Sequence, residues 1–336
     1  MTLTHIRCAY CGCKDVKEYR TYTIKDGEQR LLYHCPSCTS AFTETRHTPI
    51  ASLKTPIALI VQVLLALTEG TGINAATRLY GVSKNSIYRW QERLSGFKKT
   101  LLLFALAHQF LQQMIEGDEL YTRVQKKVAP DASPGWTIVL MDRAPRFIWD
   151  MHCGRKERQL FKKAMGLLCQ VIEQTGDLTL LTDGERRYGN LLFELCSEAL
   201  RTGKRGRPKK TLRQGVKVRL KNKGSQRHKR GPKRPKYQAP YPEHPQTAQH
   251  IDTKDIHANH LEAFNTSRRR RCAAYRRRTN MYAKKTGRLQ ERLDVYWIVH
   301  NFVRVHFTTR QVPAVALGVL EYGLSLKEIF FIQKIA

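Results

Sequence analysis

Acid is scarce in this chain. Twenty-eight Asp and Glu face 59 Lys and Arg, giving a formal charge of +31 over 336 residues. A solvated surface needs no such imbalance, so the composition predicts a polyphosphate partner, DNA or RNA, with an anionic membrane as the weaker alternative. Long hydrophobic runs are missing too. The longest, Pro56 to Leu67, is interrupted by Gln62 and is too short to cross a bilayer. Met1 to Tyr10 lacks the apolar stretch of a secretory signal. These absences predict a soluble, cytoplasmic protein. Hydrophobic residues nonetheless make up 41%, which excludes a disordered basic tail and allows two or three domains at this length. An odd nine cysteines in a reducing compartment excludes a disulfide framework, and five of them within the first 38 residues point to metal.

Cys8-Ala-Tyr-Cys11 and Cys35-Pro-Ser-Cys38 are two knuckles flanking a hairpin pattern that turns at Asp26-Gly27. Four thiolates so arranged hold a structural Zn²⁺ and leave no open position for chemistry, so residues 1–48 read as a zinc ribbon. Cys13 and His34 are spare ligands that read as bystanders. In residues 49–112, Thr55-Pro56 opens a helix as N-cap and first helical residue. Ile73 to Tyr80, Gly81-Val82 and the serine-capped stretch from Ser83 then make a helix-turn-helix pattern. Its second helix offers Lys84, Asn85, Ser86, Tyr88 and Arg89 to a major groove, unless the pair is a purely structural helical hairpin.

From Met114 the texture changes to α/β. Glu116 to Val124, Thr137 to Met141 and Arg146 to Asp150 read as strands and Gln159 to Gln174 as a helix. A buried strand, Leu178 to Asp183, and a helix over Tyr188 to Leu200 follow. Three strands, a helix and a further strand is the order of a ribonuclease H-like mixed sheet with helices, expected here over residues 113–310. Residues 201–236 then contain 17 Lys or Arg and no acid, which leaves +14 for the rest of the chain. Lacking hydrophobic periodicity, the insert 201–250 reads as a flexible loop. Its Gly206-Arg207-Pro208 is either a minor-groove hook or part of a plain electrostatic tether.

Between Ile256 and Gln290 the one acid is Glu262, at the head of an arginine block. A helix opening at Asp255 would put Glu262, Arg269 and Arg276 in line, seven residues apart, with Leu261, Phe264, Cys272 and Tyr275 on a packing stripe. Arg288 to Phe307 and Ser325 to Ile335 read as further helices, the latter in a C-terminal extension of residues 311–336.

Asp118, Asp183 and Glu262 are the acids whose positions suit a common site for Mg²⁺ or Mn²⁺. Each has a duller reading: Asp118 competes with its neighbour Glu119, Asp183 precedes a glycine and could form a turn, and Glu262 could simply pair with arginine. Asp142, Asp150, Glu185 and Glu194 are the rivals.

Taken together, the zinc ribbon, the helix-turn-helix, Gly-Asp118-Glu-Leu, Leu-Thr-Asp183-Gly, Asn259-His-Leu-Glu262-Ala-Phe-Asn265 with its arginines, and Tyr282-Ala-Lys284 resemble transposases of the insertion-sequence-one family. The resemblance covers essentially the whole chain. It implies a DDE-type enzyme in which Asp118, Asp183 and Glu262 carry divalent metal. Beside such a site, Arg269 and Arg276 would hold the backbone of double-stranded DNA or offset charge on the phosphorus. It also implies that the two N-terminal modules recognise terminal inverted repeats, with a dimer or larger assembly on paired ends. One departure is the basic insert, which places Glu262 79 positions after Asp183. The rival function is a non-catalytic DNA-binding regulator derived from such an enzyme; a simpler nuclease comes third.

Overall fold

The computed structural model describes residues 6–24, 27–108, 113–125, 128–182, 185–201, 203, 205–220, 241–242, 257–276 and 280–334. At the N-terminus, β1 (Lys17–Thr23), β2 (Gln29–His34) and β3 (Ala41–Thr43) form an antiparallel sheet. The buried apolar cluster of this module is small: Cys8, Cys35 and Phe42. So little apolar surface cannot hold a fold together by itself.

Four helices follow: α1 (Ile57–Thr68), α2 (Ile73–Tyr80), α3 (Lys84–Ser95) and α4 (Lys98–His108). The α1 terminus differs from the sequence expectation. Its N-cap is Pro56, without a side-chain cap of its own, and the Glu28 carboxylate accepts from the Ile57 amide at 2.9 Å instead. Arg30 pairs with the same Glu28 and donates to the Leu53 carbonyl at 2.7 Å. The β-hairpin thereby caps the first helix of the next module.

The largest sheet is mixed, in the order β11-β10-β7-β4-β5-β6, five strands plus a two-residue edge. These are β4 (Gln113–Tyr121), β5 (Trp136–Asp142), β6 (Ile148–Gly154), β7 (Leu178–Thr182), β10 (Val216–Leu220) and β11 (Tyr241–Pro242). β4 runs antiparallel to β5, as β5 does to β6, whereas β7 is parallel to both β4 and β10. Every residue of β7 is buried, as a strand covered on both faces requires. On one face lie α5 (Arg158–Thr175) and α6 (Arg186–Cys196); on the other, α7 (Asn259–Arg271) and α8 (Thr286–Ile298). Gly117 marks the tight side: a Cβ there would sit 3.5 Å from the Tyr188 ring of α6. The chain ends with α9 (Pro313–Ala316) and α10 (Leu326–Phe331), the latter opened by a Ser325–Glu328 capping box.

Three expectations fail here. Residues 197–200 are not the end of a helix: β8 (Ser197–Leu200) pairs antiparallel with β9 (Lys209–Leu212). The basic insert is not all loop, because it supplies β9 and then β10, a full member of the large sheet. Val216 and Val218 are buried and alternate with lysine and arginine, a two-residue period hidden under the charge. Third, α8 stops at Ile298 and a wider turn over Val299–Val303 replaces the helix expected to reach Phe307.

Candidate metal centre and nucleic-acid interface

Two tight hairpin ends bring the four knuckle cysteines together. Cys8 Sγ lies 3.5 Å from Cys38 Sγ and Cys11 Sγ 3.6 Å from Cys35 Sγ, and all four sulfurs fall within 4.8 Å of one another. A zinc ion bonded at about 2.3 Å to each sulfur needs separations of that size. Hydrogen bonding to the Ser40 side chain draws the Cys38 thiol down to about 6, whereas burial pushes the Cys35 thiol up. Cys13 stands outside this set and accepts a hydrogen bond from the Ser37 hydroxyl at 3.2 Å.

The acidic site is organised by α7 docking on β4. Leu261, Phe264, Asn265 and Arg268 form the buried stripe of α7, three or four residues apart. The helix has no side-chain cap of its own at Ala258. Glu116, fully buried in β4, supplies one across 145 residues: its Oε2 accepts from the Leu261 amide at 2.8 Å, while Oε1 accepts from Arg143 Nε at 2.7 Å. Arg143 also donates to the His257 carbonyl just ahead of the helix. The carboxylate meets the positive end of the helix dipole there.

Two residues along β4, on the same face as Glu116, the half-buried Asp118 is oriented from both sides. Its Oδ2 accepts from Asn265 Nδ2 at 2.8 Å and its Oδ1 from the Glu119 amide at 2.8 Å. Glu262 is exposed and lies one helical turn before Asn265, on the same side of α7. Asp183 lies outside the described residues. The parallel β4–β7 ladder ends at Gly117 opposite Thr182, the residues immediately before Asp118 and Asp183. Asn265 was not singled out from the sequence, though it closes the Asn259–Glu262–Asn265 pattern.

The rival acids are otherwise engaged. Glu119 points to the opposite face and pairs with Lys156 at 2.9 Å. Glu185 caps α6 through the Arg187 amide, Glu194 pairs with Arg158, and Asp150 with His152 at 2.7 Å. Asp142 is buried, and burial pushes its carboxyl up to about 7. A second group, Glu116 with His257 and His260, has ligand atoms within 4.8 Å of one another and could hold a metal. An ion there would compete with Arg143 and the Leu261 amide for the Glu116 oxygens. The surroundings are also cationic: burial first, then Arg146 and Arg143, push His260 down to about 4.

The arginines divide. Arg276 is not in line with Glu262 and Arg269, because α7 ends at Arg271 and a 3₁₀ turn over Ala273–Tyr275 intervenes. The physical reason is a ring contact: Tyr275 turns inward, hydrogen-bonds Thr137, and stacks under the fully buried Arg268, 4.5 Å from the ring centre. The expected packing stripe of Leu261, Phe264, Cys272 and Tyr275 is buried nonetheless. Arg276 donates to the Gly70 carbonyl at 3.2 Å, tying this segment to the end of α1. Arg269 is partly exposed and Arg270 exposed.

In the helical module, Gly81 turns the chain at φ +65°, and Ser83 caps α3 by accepting from the Ser86 amide at 3.1 Å. Ser86 is thereby spent on the cap, its hydroxyl 3.0 Å from that of Ser83. Lys84, Asn85 and Arg89 are exposed along α3, and Tyr88 is partly covered by Arg288 of α8, 5.1 Å over its ring. Arg207 is exposed in the β8–β9 turn. No described helix is long and apolar enough to cross a membrane. A scan of known protein families finds no match to this chain, and none of the curated proteins searched matches it.

Proposed function

We propose that this chain is a DDE-type transposase that binds the terminal repeats of a mobile element and cleaves and joins DNA strands. The observation that carries the reading is the seating of α7 on β4, through Glu116 and Asn265. It brings the helix bearing Glu262 against the strand bearing Asp118, beside the strand that leads into Asp183. The strand order also supports it. An antiparallel hairpin, β5 and β6, on one side of β4 and two strands parallel to it, β7 and β10, on the other is the arrangement of ribonuclease H-like nucleotidyl transferases. Within the basic insert, β10 extends that sheet rather than separating its halves.

Asp118, Asp183 and Glu262 would hold Mg²⁺ or Mn²⁺, and Asp118 fits such a role as a hard oxygen ligand fixed by two neutral donors. Bound there, the metal would supply activation of a water or 3′-hydroxyl and charge neutralisation at the phosphate. Asn265 keeps the Asp118 carboxylate in one orientation. Arg269 and Arg270 offer charge to the DNA backbone beyond the helix, and Lys84, Asn85 and Arg89 offer an exposed reading surface on α3. The four-thiolate zinc site stiffens the hairpin, which in turn caps α1.

The test is cleavage of duplex DNA carrying the sequences that flank this gene. Wild type nicks it in Mg²⁺, whereas Asp118→Asn, Asp183→Asn and Glu262→Gln bind it nearly as well and do not nick. Full cleavage by any of the three removes that residue from the site. Specific binding by wild type with no cleavage even in Mn²⁺ would instead support a regulator.

A further inference from the structure

Four cysteines lie outside the zinc module: Cys153, Cys169, Cys196 and Cys272. Two of them meet. Cys169 Sγ on α5 and Cys196 Sγ at the last residue of α6 are 2.7 Å apart, closer than any other described pair of sulfurs outside the knuckles. The contact closes over 27 residues and lies about two helical turns along from the packing of Phe161 on Tyr188, which holds the same two helices together. Cys169 is partly exposed, so a small reagent has access to the pair.

We infer that Cys169 and Cys196 form a reversible disulfide by exchange with a low-molecular-weight disulfide such as oxidised glutathione. Cys196 is the more acidic partner. It accepts the Cys169 S–H, and the charge of Arg213 acts in the same direction, while the Cys169 thiol is pushed up by the same contact. Cys169, the partly exposed sulfur, passes its proton to the buried Cys196 thiolate as it attacks one sulfur of the reagent, forming a mixed disulfide at Cys169 and expelling one reagent thiolate. Cys196 Sγ then attacks Cys169 Sγ, and the second reagent sulfur leaves as a thiol with the proton held on Cys196. Two cysteines are oxidised and one reagent disulfide is reduced to two thiols.

The position gives this bond a consequence. Cys196 runs directly into β8, and the Arg213 amide at the end of β9 donates to the Cys196 carbonyl at 3.0 Å. The pair therefore sits at the root of the β8–β9 hairpin, whose turn carries exposed Arg201, Arg205 and Arg207. Closing the disulfide fastens that root to α5. The inference does not depend on the proposed function.

The experiment uses the zinc-loaded full-length chain, treated with oxidised or reduced glutathione, blocked with iodoacetamide, digested and mapped by mass spectrometry. Expected with oxidised glutathione is a peptide joining Cys169 to Cys196, short of two hydrogens and reopened by reduced glutathione. Cys153 and Cys272 stay alkylatable after unfolding. Cys169→Ser abolishes the cross-link and Cys272→Ser does not. Limited trypsin digestion at Arg201 and Arg205 slows on oxidation. Free, alkylatable Cys169 and Cys196 after treatment would overturn the disulfide; an unchanged digestion rate would overturn the fastening of the hairpin.

Discussion

Removing the Glu116 carboxylate tests the joint on which the acidic site depends. In Glu116→Gln the side chain keeps its shape but one of its two oxygens becomes an NH₂ group. That group faces either Arg143 Nε or the Leu261 amide, both donors, which now sit 2.7 and 2.8 Å from the wild-type oxygens. One donor is left without an acceptor in a place where Glu116 is fully buried. The cost is that of a buried unsatisfied group, about 1–3 kcal/mol. Glu116→Ala strips both donors of their acceptor and takes from Arg143, 13% exposed at its side chain, the carboxylate that balances its charge, for about 3–5 kcal/mol.

The assay is urea unfolding followed by circular dichroism, together with amide hydrogen exchange. Leu261 is the third residue of α7, so its N–H has no partner within the helix and owes its protection to Glu116. Exchange at Leu261 accelerates in Glu116→Ala, and in Glu116→Gln when the NH₂ rather than the oxygen faces the helix, while Leu94 of α3, itself buried, keeps its protection relative to global stability. A loss below about 0.5 kcal/mol, the range of ordinary surface substitutions, with Leu261 still protected, would refute the cap.

Other perturbations probe other parts of the molecule. Burial lifts Asp142 to about 7, above the ordinary carboxylate range. In that window the folded chain keeps a proton the unfolded chain has lost, so this contribution is full below the window and falls as pH rises through it, by up to ~1 kcal/mol per pH unit. Asp142→Asn removes that slope, and parallel urea midpoints for both proteins between pH 5 and 8 would contradict the assignment. Chelating zinc, or Cys35→Ser, releases amide protection over Cys8 to Thr43 but spares the helical and mixed-sheet core, since the module's own apolar cluster is so small; retained protection would mean the hairpin stands without metal. Gly215→Ala meets a φ of +88° and puts a Cβ 2.3 Å from the Gly176 carbonyl oxygen. It detaches β10 at a cost of at least about 1–3 kcal/mol and opens Lys217 and Arg219 to trypsin, whereas unchanged digestion would argue against the strand. Within the proposed function, Asn265→Ala lowers cleavage about 10–100-fold with DNA binding retained; undiminished cleavage would remove Asn265 from the positioning of Asp118.

What could be read from sequence was local. The two knuckles announce their cluster because ligand spacing is set by one hairpin, and α2 to α3 are legible because Gly81 and Ser83 are the residues a turn and a cap demand. β10 was hidden because Lys217 and Arg219, interleaved with Val216 and Val218, mask the alternation, and its evidence is a partner strand rather than its own composition. Glu116 was invisible for a related reason. A carboxylate that caps a helix 145 residues away has no neighbour in sequence to betray it. The end of α7 was misplaced because a buried Arg268 over Tyr275 is a tertiary contact, and helical spacing alone carries the pattern on to Arg276.

That misplacement changes what the arginine block does. Arg268 is buried against Tyr275 and Tyr296, the latter ring centre 5.5 Å away, and is closed to DNA. Arg271 pairs with Glu69 at 3.5 Å, Arg304 joins the same acid and the Thr68 hydroxyl, and Arg276 holds the Gly70 carbonyl. These three guanidiniums converge on the end of α1, where the Glu69 carboxylate, the Thr68 hydroxyl and the Gly70 carbonyl accept them beside the negative end of the dipole. A cluster that reads as a phosphate grip is thus in large part the attachment of the helical module to the helix bearing Glu262. Arg288 adds a second tie, to Glu92 of α3 at 3.1 Å. Any movement of α3 on binding its ligand would therefore be felt at α7 and α8, through charged contacts that are partly exposed and weakened by salt.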